Sequence, residues 1–457
     1  MADRVNGFLR RTRWLCIVLC AGVAACTGGE HASKVVDYNN MPGYNYDETK
    51  IPPFDLLDPQ RMADGTAVTT PQQWWTQRRP EIVKLFEDHI YGRTPVAAEQ
   101  APVRVESVEG RTPALDGLAY REQVDLIFGP APKPGSHTAW RMRVLLYLPA
   151  RATGPVPMIF GLNGGGNQSI LDDPGIKPTD IWVSEEEQAP HPETPGVDTR
   201  GSQSMQWQVK AVLSRGYGLA TAYYQDLEPD AKDQRANSVR ALFDTPDTAP
   251  ASNEWGAIAA WAWGYRKAVS YLRTNPAVDA THIAVTGHSR LGKAADWAAA
   301  TTPDVGALLS TESGKGGQSI QRRELGETVK HLAQQFPHWM CPAYATWIGR
   351  DQQIPADGNL LLSLMAPRPL YAASANDDRW ADPKGEFISL RSAASTYALL
   401  STPALTPNTP MPPVDQPIGV DTNTAYHIRS GKHDVTAYDW QHYLDFLDAR
   451  WGAPARR

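Results

Sequence analysis

A serine flanked by glycines is the first feature of this chain whose residue types and spacing could do chemistry. Ser289 lies in the segment Gly-His-Ser-Arg-Leu-Gly, residues 287–292, which follows a short apolar run and precedes an alanine-rich one. A serine between a buried strand and a helix is the setting of a nucleophile elbow, where a sharp turn lifts the hydroxyl above the sheet edge. The usual Gly-x-Ser-x-Gly spacing is broken, because the second glycine comes one residue late. Since serine and glycine are also common at helix starts, the segment alone is weak evidence for catalysis.

A histidine and two acids stand downstream, in the order that such a serine requires. His433 follows the last predicted strand and is the expected general base, whereas Glu312 and Asp378 each follow an earlier predicted strand. Either carboxylate could hold the imidazole in the right tautomer and stabilise the imidazolium that forms when the serine gives up its proton. Order along the chain does not choose between them. Because both strand ends carry an acid, we expect the two to share the role.

Apolar runs of strand length alternate with helical patterns through most of the chain, and these elements must position the polar residues. The predicted strands are 144–148, 158–162, 218–223, 283–286, 307–310, 370–373 and 425–429, and the predicted helices are 80–91, 204–214, 255–272, 292–300 and 437–451. This alternation predicts a mostly parallel central sheet with helices on both faces. Together with the order of serine, acid and histidine, it predicts an α/β-hydrolase fold.

The N-terminus is typical of an exported lipoprotein. Four arginines within the first 13 residues precede an apolar run, residues 14–23, and the small residues after it lead to Cys26. The run is too short to span a bilayer permanently, so residues 1–25 are predicted to be a lipoprotein signal peptide and Cys26 the lipidation site. An ordinary signal peptide with an incidental cysteine is the alternative. We expect an outer-membrane or periplasm-facing lipoprotein that meets the membrane only through its lipid.

The remaining composition limits the architecture and the partners. Residues 26–53 are rich in Gly, Asn, Tyr and Pro, which predicts a lipid-anchored linker, and residues 54–457 are expected to form a single α/β-hydrolase domain. Of the four cysteines only Cys341 belongs to that domain, so it holds no disulfide. A net charge of -6 argues against a nucleic-acid-binding surface. We expect a monomer.

The segment Gly-His-Ser-Arg-Leu-Gly-Lys, residues 287–293, resembles the Gly-Cys-Ser-Arg-x-Gly-Lys signature of glucuronoyl esterases, carbohydrate esterase family 15, with His288 in place of cysteine. The similarity continues in the family's order through Glu312–Gly317, Phe336–Trp339, Ala366–Tyr371, Trp380–Pro383 and Gly431–Asp434. The resemblance implies an α/β-hydrolase that needs no metal or other cofactor. It also implies a substrate, the ester that joins 4-O-methyl-glucuronic acid of xylan to lignin alcohols.

Carried over residue by residue, the resemblance makes Ser289 the nucleophile, His433 the base and Glu312 the acid, with Asp378 as the additional acid of bacterial members. Arg290 matches the residue that stabilises the oxyanion. Its backbone N–H follows the nucleophile and its guanidinium can meet an oxygen that becomes negative. The alternative for Arg290 is a surface salt bridge.

Three further matches concern substrate binding: Lys293, Glu327 and Trp380 correspond to family residues that hydrogen-bond the hydroxyls of the uronic acid. Lys293 lies one helical turn after Ser289, so both can face the same opening. Without the resemblance, Glu327 would be interpreted as a solvated helix carboxylate and Trp380 as core packing. The side chain of His288 is expected to point away from the substrate.

Two other functions compete with glucuronoyl ester hydrolysis. An acetyl xylan esterase or another carbohydrate esterase would need the same elbow and histidine. A polysaccharide-binding lipoprotein without catalysis would need only the tyrosines and tryptophans, which stack well on sugar rings. The ordered serine, acid and histidine argue against the second alternative, and Lys293, Glu327 and Trp380 favour a uronate over an acetyl ester.

Overall fold

Nine strands pair into one sheet in the computed structural model, which describes residues 38–129, 140–179, 199–244 and 250–455. They are β1 Val103–Ala114, β2 Ala119–Phe128, β3 Arg141–Pro149, β4 Val156–Asn163, β5 Gly218–Tyr223, β6 Val278–His288, β7 Ala307–Thr311, β8 Leu370–Ala375 and β9 Thr424–Arg429. The spatial order is β1-β2-β3-β5-β4-β6-β7-β8-β9. Strands β1, β2 and β3 pair antiparallel with their neighbours, and the pairs from β5 to β9 are parallel. The seven predicted strands correspond to β3 through β9.

Helices cover both faces of this sheet, as an α/β-hydrolase requires. They are α1 Pro71–Gln73, α2 Arg79–His89, α3 Val96–Gln100, α4 Ser204–Trp207, α5 Val209–Arg215, α6 Ala257–Leu272, α7 Ser289–Thr301, α8 Val329–Gln335, α9 Gly358–Ser363, α10 Pro383–Leu399 and α11 Ala437–Trp451. Neighbouring strand residues enter opposite cores: Phe160 packs in the core that contains α6 and α7, whereas Ile159 packs in the core that contains α5 and α11. Strand side chains alternate between faces, so an entirely apolar strand indicates burial on both sides. The predicted fold class is confirmed.

The carboxyl ends of the parallel strands place the polar residues at one edge of the sheet. Ser289 begins α7 directly after β6, Glu312 follows β7, and Asp378 and His433 lie in the loops after β8 and β9. Parallel strands that run in the same direction end at the same edge, which is where open α/β sheets bind their ligands. Residues 144 positions apart in the chain can therefore meet in one cleft.

The predicted linker is too long in its C-terminal part. The compact unit begins at Tyr38 rather than at residue 54, and short 3₁₀ turns form at Tyr38–Asn40 and Glu48–Lys50. The Asn45 amide donates to the Glu324 carbonyl over 3.1 Å, and the Asn45 carbonyl accepts from the Gly326 N–H over 2.8 Å. Residues 38–50 are therefore part of the folded domain, which corrects the boundary set by composition.

The predicted signal peptide, Cys26 and residues 26–37 of the predicted linker lie outside the described residues. Within the described ranges, none of the helices combines the length and the apolar character needed to cross a membrane. Cys341 is a buried free cysteine.

Candidate active site

A strained turn carries Ser289 from β6 into α7. The backbone of Ser289 has a φ of 57°, a left-handed conformation that costs free energy for a residue with a side chain. Gly287 permits the turn, because a Cβ at that position would lie 2.2 Å from the Leu291 carbonyl oxygen. A Cβ on Gly292 would lie 2.8 Å from the Ser313 Cβ, so the late glycine lets α7 approach the loop after β7. The segment has the geometry of a nucleophile elbow. The position of its second glycine is explained by the close packing of α7 against the loop after β7.

A cavity of about 610 Å³ opens at this elbow. Ser289, Arg290 and His433 all line it, so the predicted nucleophile, oxyanion residue and base face the same space. The other wall residues include Asn163, Gly164, Trp207, Tyr224, Gln225, Asp230, Phe336 and Trp440. A second cavity, of about 550 Å³, lies beside Gly117, Leu213 and Gly216 and includes none of the predicted site residues.

Both predicted acids reach the imidazole of His433. The Nδ1 atom of His433 donates to Asp378 Oδ2 over 2.6 Å, and Glu312 Oε2 lies 3.1 Å from the same nitrogen. Glu312 is also held by other donors, since Arg429 donates to its Oε1 and the Asp434 N–H donates to its Oε2 over 3.0 Å. The geometry brings the two acids together as predicted, but Asp378 rather than Glu312 makes the shorter contact.

The two carboxylates govern the charge of the imidazole. Burial by itself lowers the pKa of His433, but the hydrogen bonds and negative charges of Asp378 and Glu312 outweigh it and raise that pKa to about 10. Burial also raises the pKa of Glu312, but hydrogen bonds from His288 and His433 bring it below its usual value. An imidazolium formed at His433 is therefore strongly stabilised, as a base that takes a serine proton requires.

His288 lines the same cavity as Ser289 and His433, whereas the sequence predicts a side chain directed away from the substrate. Its Nε2 atom lies 3.1 Å from Glu312 Oε2, and its ring centroid lies 4.3 Å from that of His433. Burial and the charge of His433 lower the pKa of His288, so its ring stays neutral beside the base. One ligand atom each of His288, Glu312 and His433 lies within 4.8 Å of the others, a donor set that could hold a metal ion. In this structure Glu312 Oε2 instead contacts a ring nitrogen of each of the two histidines.

Arg290 is fixed at the cavity wall by an anion and an aromatic face. Its Nη1 forms an ion pair with Asp230, and its guanidinium carbon lies 4.9 Å from the centre of the Trp339 ring. The salt bridge that was the alternative interpretation of Arg290 is thus present, and it is half-buried, because the Asp230 side chain is 4% exposed and the Arg290 side chain 38%. A buried partner restricts a guanidinium far more than a solvated one does.

The three predicted sugar-binding residues lie together. Lys293 Nζ is 3.5 Å from Glu327 Oε2, and the Glu327 N–H donates to the Trp380 carbonyl over 3.0 Å. Glu327 is buried, so it is not the solvated carboxylate of the alternative interpretation. The Trp380 ring contacts the rings of Tyr44 and His331, with centroids 4.9 and 4.7 Å away. None of the three predicted residues is among those that line the 610 Å³ cavity.

Sequence reasoning missed two residues of this region. Asp230 lies in the loop after β5, and its place beyond a buried strand end was the signal that could have identified it. Tyr44 lies in the segment assigned to the linker, and its Oη is 2.7 Å from His331 Nδ1. Because that segment has no hydrophobic periodicity, no local pattern indicated that Tyr44 would pack beside Trp380.

Comparison with known proteins gives the same family by three routes. The family model described as fungal glucuronyl esterase matches residues 212–401. Carbohydrate esterase MZ0003, from an unknown prokaryotic organism, is 38% identical over 413 residues, which are 90% of this chain and 93% of that protein. A 4-O-methyl-glucuronoyl methylesterase of Podospora anserina is 34% identical over 173 residues, or 36% of each chain.

Solved structures agree with these relatives. A glucuronoyl esterase from Solibacter usitatus superposes with a TM-score of 0.81 at 40% identity, and the match covers 88% of this chain and all of that one. A promiscuous CE15 esterase from a marine bacterial metagenome superposes with a TM-score of 0.80 at 37% identity, covering 89% of this chain and all of that one.

Proposed function

The chain belongs to the glucuronoyl esterase family, carbohydrate esterase family 15, and from this membership we propose its mechanism, natural substrate and location. It is a serine esterase of the glucuronoyl type. The observation that carries the mechanism is the cavity at the sheet edge, where Ser289 on its strained turn and His433 beside two buried carboxylates face the same space.

We propose that Ser289 attacks the ester carbonyl carbon while His433 accepts the hydroxyl proton. The tetrahedral intermediate collapses when the carbon–oxygen bond to the alcohol breaks and His433 returns the proton to the leaving oxygen. Water, deprotonated by His433, then attacks the acyl-enzyme. The bond between the acyl carbon and the Ser289 oxygen breaks, His433 returns the proton to that oxygen, and the uronic acid is released. Asp378 and Glu312 keep the Nδ1 proton of His433 in place and stabilise its charged form.

Arg290 stabilises the oxyanion in this proposal. The N–H that follows the nucleophile is the usual donor of an elbow, and the guanidinium adds a fixed positive charge at the wall of the same cavity. Such donors act most strongly when the carbonyl oxygen becomes negative, so Arg290 is expected to contribute mainly to kcat.

The proposed substrate is the ester between 4-O-methyl-glucuronic acid side chains of xylan and lignin alcohols. The resemblance makes Lys293, Glu327 and Trp380 the residues that bind the hydroxyls of the uronic acid, and the three lie together, although none of them lines the 610 Å³ cavity. The relative from Podospora anserina is a 4-O-methyl-glucuronoyl methylesterase by name. The marine relative is described as promiscuous, so acetylated sugars remain a second candidate substrate.

The proposed location is outside the cytoplasm, with the domain tethered through lipid on Cys26. This rests on the arginine-rich start, the short apolar run and the small residues before Cys26. Metabolic labelling with a fatty-acid analogue, compared between the natural chain and Cys26→Ser, would test the anchor. Label on Cys26→Ser equal to that on the natural chain would contradict it.

Paired assays test the activity. Purified protein is given benzyl glucuronate and an acetylated xylo-oligosaccharide at matched concentrations, with Ser289→Ala as the control. We expect hydrolysis of the glucuronate ester that Ser289→Ala abolishes. Hydrolysis of the acetyl ester alone would favour an acetyl xylan esterase. Failure of a fluorophosphonate probe to label Ser289 in folded protein would favour a binding protein without catalysis.

A further inference from the structure

Asp230 is a buried carboxylate surrounded by hydrogen-bond donors. Its Oδ1 accepts from His338 Nε2 over 2.8 Å and from Trp339 Nε1 over 2.6 Å, and its Oδ2 accepts from the Tyr224 hydroxyl over 3.0 Å. The same Oδ2 forms the ion pair with Arg290. A carboxylate with this many donors is held in a single orientation and stays ionised.

The charge balance supports that conclusion. Burial alone raises the pKa of Asp230, but the positive charge of Arg290 and the donors of His338 and Trp339 outweigh it and hold that pKa well below its usual range. Asp230 is therefore an anion in the cavity wall at neutral pH.

An aromatic platform completes the surroundings of the guanidinium. Phe336 and Trp339 stack in parallel, with ring centroids 3.9 Å apart and an angle of 9° between their planes. The guanidinium carbon of Arg290 lies 5.8 Å from the first ring and 4.9 Å from the second. An aromatic face attracts a cation but leaves it free to slide, whereas the ion pair with Asp230 selects one position on that face.

We infer that Asp230 is a positioning residue for catalysis, which holds the Arg290 guanidinium where it meets the developing oxyanion. The inference rests on the proposed oxyanion role of Arg290. Asp230, Arg290 and Phe336 all line the cavity that contains Ser289, so the ion pair belongs to the reaction site. A long, flexible side chain contributes little to a transition state unless its orientation is fixed before the reaction.

This role differs from that of an ordinary buried salt bridge, and the chain offers a matched comparison. Glu228, two residues before Asp230, is also a carboxylate with a buried side chain, which pairs with Arg240 and accepts from the Ser238 hydroxyl. None of these three residues lines the cavity. Loss of the Glu228 charge should therefore lower stability without changing kcat, whereas loss of the Asp230 charge should lower kcat.

A double-mutant cycle on benzyl glucuronate tests the inference. We expect Asp230→Asn to lower kcat by about tenfold to 100-fold, with KM changed less than about threefold, because misplacement of a catalytic group by about 1 Å has effects of that size. In an Arg290→Ala background the same change should have almost no further effect on kcat. Glu228→Gln is the control, with a lower Tm and an unchanged kcat.

The outcomes separate the inference from the proposed function. An unchanged kcat in Arg290→Ala would overturn the oxyanion role itself. If Arg290→Ala is impaired but Asp230→Asn is not, or if Asp230→Asn lowers kcat equally in both backgrounds, positioning by Asp230 is wrong. If Asp230→Asn does not fold, Trp339→Phe removes one donor to Asp230 and keeps an aromatic face. A kcat for Trp339→Phe equal to that of the natural enzyme would then overturn the inference.

Discussion

Replacing Asp378 by asparagine tests how two carboxylates share one histidine. The lost contact is a charge-assisted hydrogen bond of 2.6 Å between His433 Nδ1 and Asp378 Oδ2. Such bonds contribute about 1.5 to 3 kcal/mol, and each 1.36 kcal/mol corresponds to about tenfold in rate. We therefore expect Asp378→Asn to lower kcat by about tenfold to 100-fold. The loss stays below the ~10⁴-fold typical of triads with one acid, because Glu312 Oε2, 3.1 Å away, still accepts the Nδ1 proton.

The assay compares Asp378→Asn, Glu312→Gln and the double variant on benzyl glucuronate, with thermal unfolding as a control for folding. Each single variant should keep measurable activity, and the double variant should approach His433→Ala, since members of one catalytic unit are strongly non-additive. Glu312→Gln is expected to lower stability more, because Glu312 also binds Arg429 and the Asp434 N–H. A single Asp378→Asn loss as large as that of the double variant would refute sharing.

Three further predictions follow from the same geometry. The kcat/KM of the natural enzyme should rise with pH and reach half its plateau above pH 6.5, because Asp378 and Glu312 raise the pKa of His433. Removing one of the two anions should move that midpoint to lower pH, and an unmoved midpoint would contradict the coupling. Arg290→Ala should lower kcat by about 10²–10³-fold with little change in KM; a rise in KM alone would indicate ground-state binding. Tyr44→Phe should raise the KM for glucuronate esters by about twofold to tenfold, because it removes the 2.7 Å hydrogen bond between Tyr44 and His331, which lies beside Trp380. Tyr120→Phe, at an exposed tyrosine, is the control, and equal KM values for the two variants would exclude Tyr44 from the sugar site.

Some elements were missed because their local pattern gives no signal. Strand β1 is largely exposed and carries charged and polar residues, so no apolar run marked it. Helix α10 buries polar residues such as Ser389 and Thr396 within its packed face, which hides the usual contrast between an apolar and a polar side. Burial of polar side chains depends on partners elsewhere in the fold, and a pattern read along the chain does not contain them.

The sequence by itself determined the buried strands, the fold class and the order of Ser289, Glu312, Asp378 and His433 at successive strand ends. An apolar run of strand length identifies a buried strand from its own residues alone. Parallel strands then end at the same edge of the sheet, whichever side chains follow them.

Only the tertiary structure decided which carboxylate lies nearer to His433, that His288 turns toward the acids, and that Asp230 holds Arg290. It also placed Tyr44 beside the predicted sugar-binding residues, although the composition of its segment predicted a linker. Asp230 and Arg290 are 60 residues apart in the chain, and Tyr44 is 287 residues from His331, its hydrogen-bond partner. Periodicity reports how a segment folds locally, whereas these contacts depend on side chains from distant elements packing against one another, and that packing exists only in the assembled fold.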